Sequence, residues 1–257
     1  MLILLPPSEG KAEPRRGKPL DLTTLAFASA LTETRHAIMT ALRDLCAEDP
    51  EKAREVLDLT PGQASDLVRN LRLETAPTTT AAQLYTGVLF DHLGLLDLPA
   101  DARRRANRTV LIASGLWGVL RPNDRVPAYR LSGAATLPGI GTVAGAWRAP
   151  LALALPAWVG RKVLLDLRSG TYAMAWRPAA PVADRTVTVQ VTQNGRVVSH
   201  HNKATKGLLA RALLTAGAEP RTPAQLAGAC ADAGFPGLLT APTRAGGTWQ
   251  LRIDQVA

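Results

Sequence analysis

The chain has 257 residues, 46% of them hydrophobic and 20% charged, which excludes a disordered tail and allows one large domain or two small ones. No apolar run approaches the roughly 20 residues a membrane-spanning helix requires, and two cysteines, Cys46 and Cys230, exclude a disulfide framework and a Cys-rich zinc site. The net charge of +9 is polarised: residues 1–101 hold 10 Lys/Arg and 15 Asp/Glu, residues 102–257 hold 20 and 6.

Met1–Leu5 is a short continuous apolar run and predicts a buried strand. It meets Pro6-Pro7 at once and no basic segment precedes it, so a secretion signal is not expected and the cytoplasm is the expected compartment. Pro6–Pro19 reads as a loop. Between Thr23 and Cys46, Leu31, Ile38, Leu42 and Leu45 recur at helical spacing. Thr60-Pro61 opens a helix that carries Leu67, Val68 and Leu71. Residues 101–108 form a basic helix or turn with Arg103, Arg104, Arg105 and Arg108, followed by a strand at Val110–Ala113 that Ser114-Gly115 breaks.

The second half is richer in strands. Lys162–Leu167 predicts a buried strand ending at Arg168-Ser169-Gly170. Thr186–Gln193 alternates, Asn194-Gly195 gives a hairpin turn, and Val197–His201 is the expected return strand. Helices are expected over 203–216 and from Thr222-Pro223 to about 233, with a closing strand at Trp249–Ile253. Strands from both ends are needed for one sheet, so the expected fold is a single mixed α/β domain over residues 1–257.

Polar residues gather where strands end. Ser8, Glu9 and Lys11 follow the first strand; Ser114 opens a cluster with Arg121, Asp124, Arg125, Tyr129 and Arg130. Asp166, Arg168, Ser169 and Tyr172 surround the third, and His200, His201, Asn202, Lys203 and Lys206 follow the fourth. Open sheets bind ligands beyond their strand ends, so these clusters mark a candidate site for a phosphate or carboxylate; solvated loop charge is the simpler alternative. The basic second half is an electrostatic footprint for a polyanion, although 24 Arg against 6 Lys can also reflect genome composition. Neither a Walker A loop nor a dinucleotide fingerprint is present. His200 and His201, adjacent on an expected strand, would face opposite ways and could not share a metal. No metal and no cofactor are expected.

The residues resemble a family. MLILLPPSEGK, LYTG at 84–87, SGLWGVLRPNDRVPAYRL at 114–131, DLRSGTY at 166–172 and NKATKGLLAR at 202–211 occur in the order seen in the peroxide stress protein YaaA family. The resemblance implies a mixed α/β fold with a curved sheet, a link to oxidative stress, binding of duplex or branched DNA through a positive cleft, and a helix-hairpin-helix element; contacts of the basic half to phosphates would make the DNA binding sequence-independent. Two motifs depart from it: Ser169-Gly170-Thr171-Tyr172 lacks the family's acid, and Lys203-Ala204-Thr205-Lys206-Gly207 lacks one cation. The paired helices 203–216 and 222–233, with Lys203, Lys206, Arg211 and Arg221, are the best place for the hairpin, but the Gly-apolar-Gly turn is missing.

Two readings stay open. As a DNA-binding protein, the expected monomer would use Arg104, Arg105 and Arg211 with the rim cations. As an enzyme on a nucleotide, nucleobase or carboxylated molecule, Lys11, Tyr129, Asp166 and Lys203 would be catalytic. Ser8, Glu9, Ser114, Arg121, Arg125, Arg130, Ser169, Tyr172 and Lys206 would then hold the ligand.

Overall fold

Leu2–Leu5 lies at the middle of the molecule, and all four of its side chains are shielded from solvent. A strand covered on both faces needs a continuous apolar run rather than an alternation. The computed structural model describes residues 1–193, 196–197 and 199–255. In chain order its strands are β1 (Leu2–Leu5), β2 (Thr79–Thr80), β3 (Val110–Ser114), β4 (Gly118–Leu120), β5 (Arg125–Val126), β6 (Thr136–Leu137), β7 (Gly141–Thr142), β8 (Leu164–Asp166), β9 (Thr186–Gln193), β10 (Arg196–Val197), β11 (Leu238–Thr240) and β12 (Trp249–Gln255).

Eight of these form one mixed sheet in the order β11-β12-β9-β8-β1-β3-β4, with β10 paired to β9. The inner five, β12, β9, β8, β1 and β3, run parallel, while β11, β10 and β4 are antiparallel to their neighbours. The fold is therefore mixed α/β, with a sheet that does not close on itself. Leu4 pairs with Leu111 of β3 and with Asp166 of β8. Hence β1, β3 and β8 all point their C-terminal ends at one rim, where Ser8, Ser114 and Ser169 follow. Ligands of open α/β sheets bind at such a rim.

The helix Ala28–Glu48 buries Leu31, Ile38, Leu42 and Leu45, the stripe expected from their spacing, and Arg35 with them. Arg35 donates to the carbonyls of Ala26 at 2.7 Å, Trp117 at 3.1 Å and Val119 at 3.3 Å. Nearby, the Asp124 carboxylate accepts from the backbone N–H of Ala26 and of Arg121. A buried arginine in this helix was invisible to hydrophobic periodicity, because it serves the backbone of other segments rather than the apolar stripe.

The expected return strand over Val197–His201 is reduced to Arg196–Val197, and a helix runs from Ser199 to Ala216. The Asn194-Gly195 turn lies outside the described residues. His200 and His201 thus sit on a helix and not on a strand, which removes the opposite-face premise. The second expected helix spans Pro223–Asp232, and the Thr222 side chain accepts from the Gln225 N–H to cap it.

The Ser199–Ala216 helix crosses Val88–Leu93 at Gly207. A Cβ on Gly207 would lie 2.3 Å from the Leu89 carbonyl oxygen, a backbone atom that cannot swing aside. Gly207→Ala should therefore destabilise the protein by about 1–3 kcal/mol, read as a lower urea midpoint, despite the gain in helix propensity. No helix among the described residues is long and apolar enough to cross a membrane.

Candidate functional site

After β1 the chain turns at Pro6-Pro7 and lies against residues 84–87. Thr86 N–H donates to the Gly10 carbonyl, Ala12 N–H to the Leu84 carbonyl, and Lys11 bridges to Tyr85. This places the Lys11 Nζ 4.4 Å from the centre of the Tyr129 ring and 5.7 Å from that of Tyr85. The same ammonium donates to the Ser8 carbonyl at 2.9 Å and to the Glu9 carbonyl at 3.4 Å. Aromatic faces and carbonyl oxygens stabilise a cation, but less than water does. Burial pushes the Lys11 amine down to about 7, and Arg130 pushes the same way; Asp66 and Glu9 oppose them.

The chain has three tyrosines, and all three meet here. The Tyr129 hydroxyl lies 2.9 Å from that of Tyr85 and 2.7 Å from the Ser114 Oγ, which also accepts from the Trp117 N–H at 2.9 Å. Trp117 stands edge-on to the Tyr129 ring. The Tyr172 hydroxyl accepts from the Gly133 N–H at 3.3 Å. Burial raises all three phenols, so they stay protonated at neutral pH and can act as donors.

At the end of β8, Arg168 grips Asp166 with two nitrogens, at 2.9 Å and 2.7 Å. Arg168 also donates to the carbonyls of Tyr172 and Trp176 and lies over the Trp176 ring. Lys206 reaches in from its helix to the Leu167 carbonyl at 3.2 Å; burial lowers its amine and Asp166 raises it. A cavity of about 10 Å³ between Ser114, Gly133, Trp147, Arg168 and Tyr172 has room for about one water.

The structure brings Ser8, Glu9, Lys11, Tyr129 and Arg130 together, with Arg130 3.9 Å from the Glu9 carboxylate. Ser114 joins them through Tyr129, and Asp166, Tyr172 and Lys206 form the adjoining half of the rim. Ser169 is exposed just before the Gly170–Ala173 turn. Other residues are placed elsewhere. Lys203 is exposed. Because β4 runs back antiparallel from the rim, it carries Arg121 and Arg125 away, and Arg125 donates to the Thr78 carbonyl. Arg104 is exposed and paired with Asp101. Arg105 donates to the Leu214 carbonyl, and Arg211 to the carbonyls of Leu93 and Gly94, so both serve helix ends. Among the described residues no group of three or more His, Cys, Asp or Glu is placed to hold a metal ion.

Sequence reasoning missed Tyr85, although its LYTG segment stood out, and it missed Asn70. Asn70 is fully buried; its Nδ2 donates to the Arg130 carbonyl at 2.8 Å and its Oδ1 accepts from the Arg130 N–H at 2.9 Å. That clamp fixes the backbone beside Tyr129. No apolar pattern marked it, because the buried side of the Ser65–Leu71 helix carries Asp66 and Asn70 beside Leu67 while Val68 and Leu71 are exposed.

A lysine whose amine is lowered on folding binds fewer protons folded than unfolded between about pH 7 and 10, so its burden on stability falls as pH rises. Lys11→Met should accordingly be more stable than the wild type at pH 6, and that advantage should shrink by up to about 1.4 kcal/mol per pH unit above pH 7. Urea titrations at pH 6, 7.5 and 9 check it; a constant difference would mean that the amine is solvated.

Residues 1–236 match the family described as Peroxide stress protein YaaA. A UPF0246 protein of Streptomyces coelicolor is 48% identical over 255 residues, which is 98% of each chain. A UPF0246 protein of Corynebacterium efficiens is 40% identical, covering 91% of this chain and 94% of its own. An uncharacterised protein of Campylobacter jejuni is 27% identical over 81% of this chain and 82% of its own.

Proposed function

The chain belongs to the peroxide stress protein YaaA family, and from that premise we propose that it serves the cytoplasmic response to peroxide. Its working part in this reading is the rim of β1, β3 and β8, where it carries out acid–base chemistry on a small anionic or nucleobase-like molecule. The observation that supports this most is the meeting of Lys11 with the hydroxyl chain Tyr85–Tyr129–Ser114. An amine that is partly neutral near pH 7 accepts a proton readily, and a chain of hydrogen-bonded hydroxyls can relay one. Arg130 supplies positive charge for an anionic group, and Asp166 positions Arg168. Lys206 is buried beneath the rim and donates to the Leu167 carbonyl.

A thermal-shift screen of the full chain against nucleotides, nucleobases and carboxylic acids tests it. Only ligands of the native state raise the midpoint. At least one should do so in the wild type and not in Lys11→Ala. An equal rise in both, or none with any compound, overturns the reading.

A second reading, DNA binding, is favoured by the charge of residues 102–257, 20 basic against 6 acidic. Affinity should then fall steeply with salt and depend little on sequence. Arg104→Glu is the clean probe because Arg104 is exposed, whereas Arg105→Glu also breaks the bond to Leu214. A flattened salt slope in Arg104→Glu supports DNA contact there; no binding at low salt removes it.

A further inference from the structure

We propose that Lys11 is a nucleophilic amine that forms an imine with a carbonyl compound carrying an anionic group. The inference rests on the reading of the rim as a ligand site and goes beyond it, because a proton acceptor need never bond to its ligand. The chain has six lysines, of which Lys18, Lys52, Lys162 and Lys203 are exposed and Lys206 is turned inward to the Leu167 carbonyl. Lys11 alone among them stands against two aromatic rings, held by two backbone carbonyls rather than by a carboxylate. The nearby Glu9 carboxylate is turned to Arg130, and the contact from Lys11 to the Glu9 carbonyl lies on the solvent side. A desolvated lysine beside another cation is the arrangement that keeps an amine free to attack. The charged groups that act on it are Arg130 and Arg69, which favour the neutral form, and Asp66 and Glu9, which oppose it.

The chemistry balances without an oxidant or reductant. The Lys11 lone pair attacks the carbonyl carbon, a C–N bond forms, and one amine proton passes to the carbonyl oxygen. Tyr129 protonates the resulting hydroxyl, the C–O bond breaks, and water leaves as the nitrogen lone pair closes the C=N bond. The remaining N–H proton returns to the Tyr85–Tyr129–Ser114 chain. Arg130 holds the anionic group, which sets the ligand class as an aldehyde or ketone with a carboxylate or phosphate.

Pyridoxal 5′-phosphate followed by borohydride, on the full-length protein at pH 7, tests this with an aldehyde that carries a phosphate. Borohydride fixes the imine as a secondary amine, and peptide mass spectrometry locates it. Lys11 should be labelled at least ten-fold faster than Lys18, Lys52, Lys162 or Lys203. Lys11→Arg should lose that label while keeping its circular dichroism spectrum, and Tyr129→Phe should slow labelling of Lys11 about ten-fold or more. Uniform labelling, or a Lys11 slower than the exposed lysines, overturns the proposal, and the wild-type measurement needs no variant to fold. If Lys11 stays unlabelled while the ligand-induced thermal shift still depends on it, the imine is overturned and the acid–base reading stands. Loss of both overturns the two together.

Discussion

Asp166→Ala should destabilise the protein by about 3–5 kcal/mol, measured by urea unfolding at neutral pH. Both carboxylate oxygens are bound by Arg168, whose side chain is 2% exposed against 6% for Asp166. Removing the acid leaves a guanidinium buried without its counter-charge, which costs more than the roughly 0.2–1 kcal/mol typical of a surface pair. The loss spreads locally, because the same guanidinium ties down the Tyr172 and Trp176 carbonyls. Replacing both partners, as Asp166→Leu with Arg168→Met, should cost less than Asp166→Ala alone, since no charge is then stranded. A single variant within 1 kcal/mol of the wild type would show that water reaches the pair.

Arg35→Met should have an effect of similar size, about 3–5 kcal/mol, for a different reason. Three carbonyls, those of Ala26, Trp117 and Val119, lose their donor in a region without water contact. Asp124 also loses the positive charge that favours its ionised form, while burial already raises its carboxyl. An acid raised on folding binds more protons folded than unfolded, so stability falls as pH rises through its ordinary range. The deficit of Arg35→Met should therefore be smaller at pH 4.5 than at pH 7. An equal deficit at both would assign the whole effect to the carbonyls.

The contrast between these two arginines shows what a sequence can disclose. Leu2–Leu5, Val110–Ser114 and Thr186–Gln193 were legible because apolar runs and strict alternation follow directly from burial on two faces or on one. Strands ending at Ser-containing turns were legible too, and parallel pairing puts three of those turns on one rim. Arg168 was legible beside Asp166, two residues away. Arg35 was not, since its partners are carbonyls 9, 82 and 84 residues distant. Tyr85 and Asn70 were hidden for the same reason: their partners, Tyr129 and Arg130, lie 44 and 60 residues on. Arg105 and Arg211 looked like a charged face but serve helix ends, a use that depends on which helices meet. The return strand failed because two residues of antiparallel pairing suffice before the helix at Ser199 begins.

The position of β1 has a consequence for how the chain is made. Leu2–Leu5 becomes an inner strand of the sheet, and its partners, Val110–Ile112 and Leu164–Asp166, are made well after it. At about 5–20 residues per second, the ribosome delivers the second partner roughly 8–30 s after the first strand emerges. Through that interval Leu2–Leu5 is an apolar segment with at least one backbone edge open, the kind of template that recruits strands from other molecules. Contacts this remote in sequence also slow the search once the chain is complete. Nascent chains should thus occupy chaperones until about residue 166 has cleared the exit tunnel, and refolding from urea should become aggregation-limited as concentration rises.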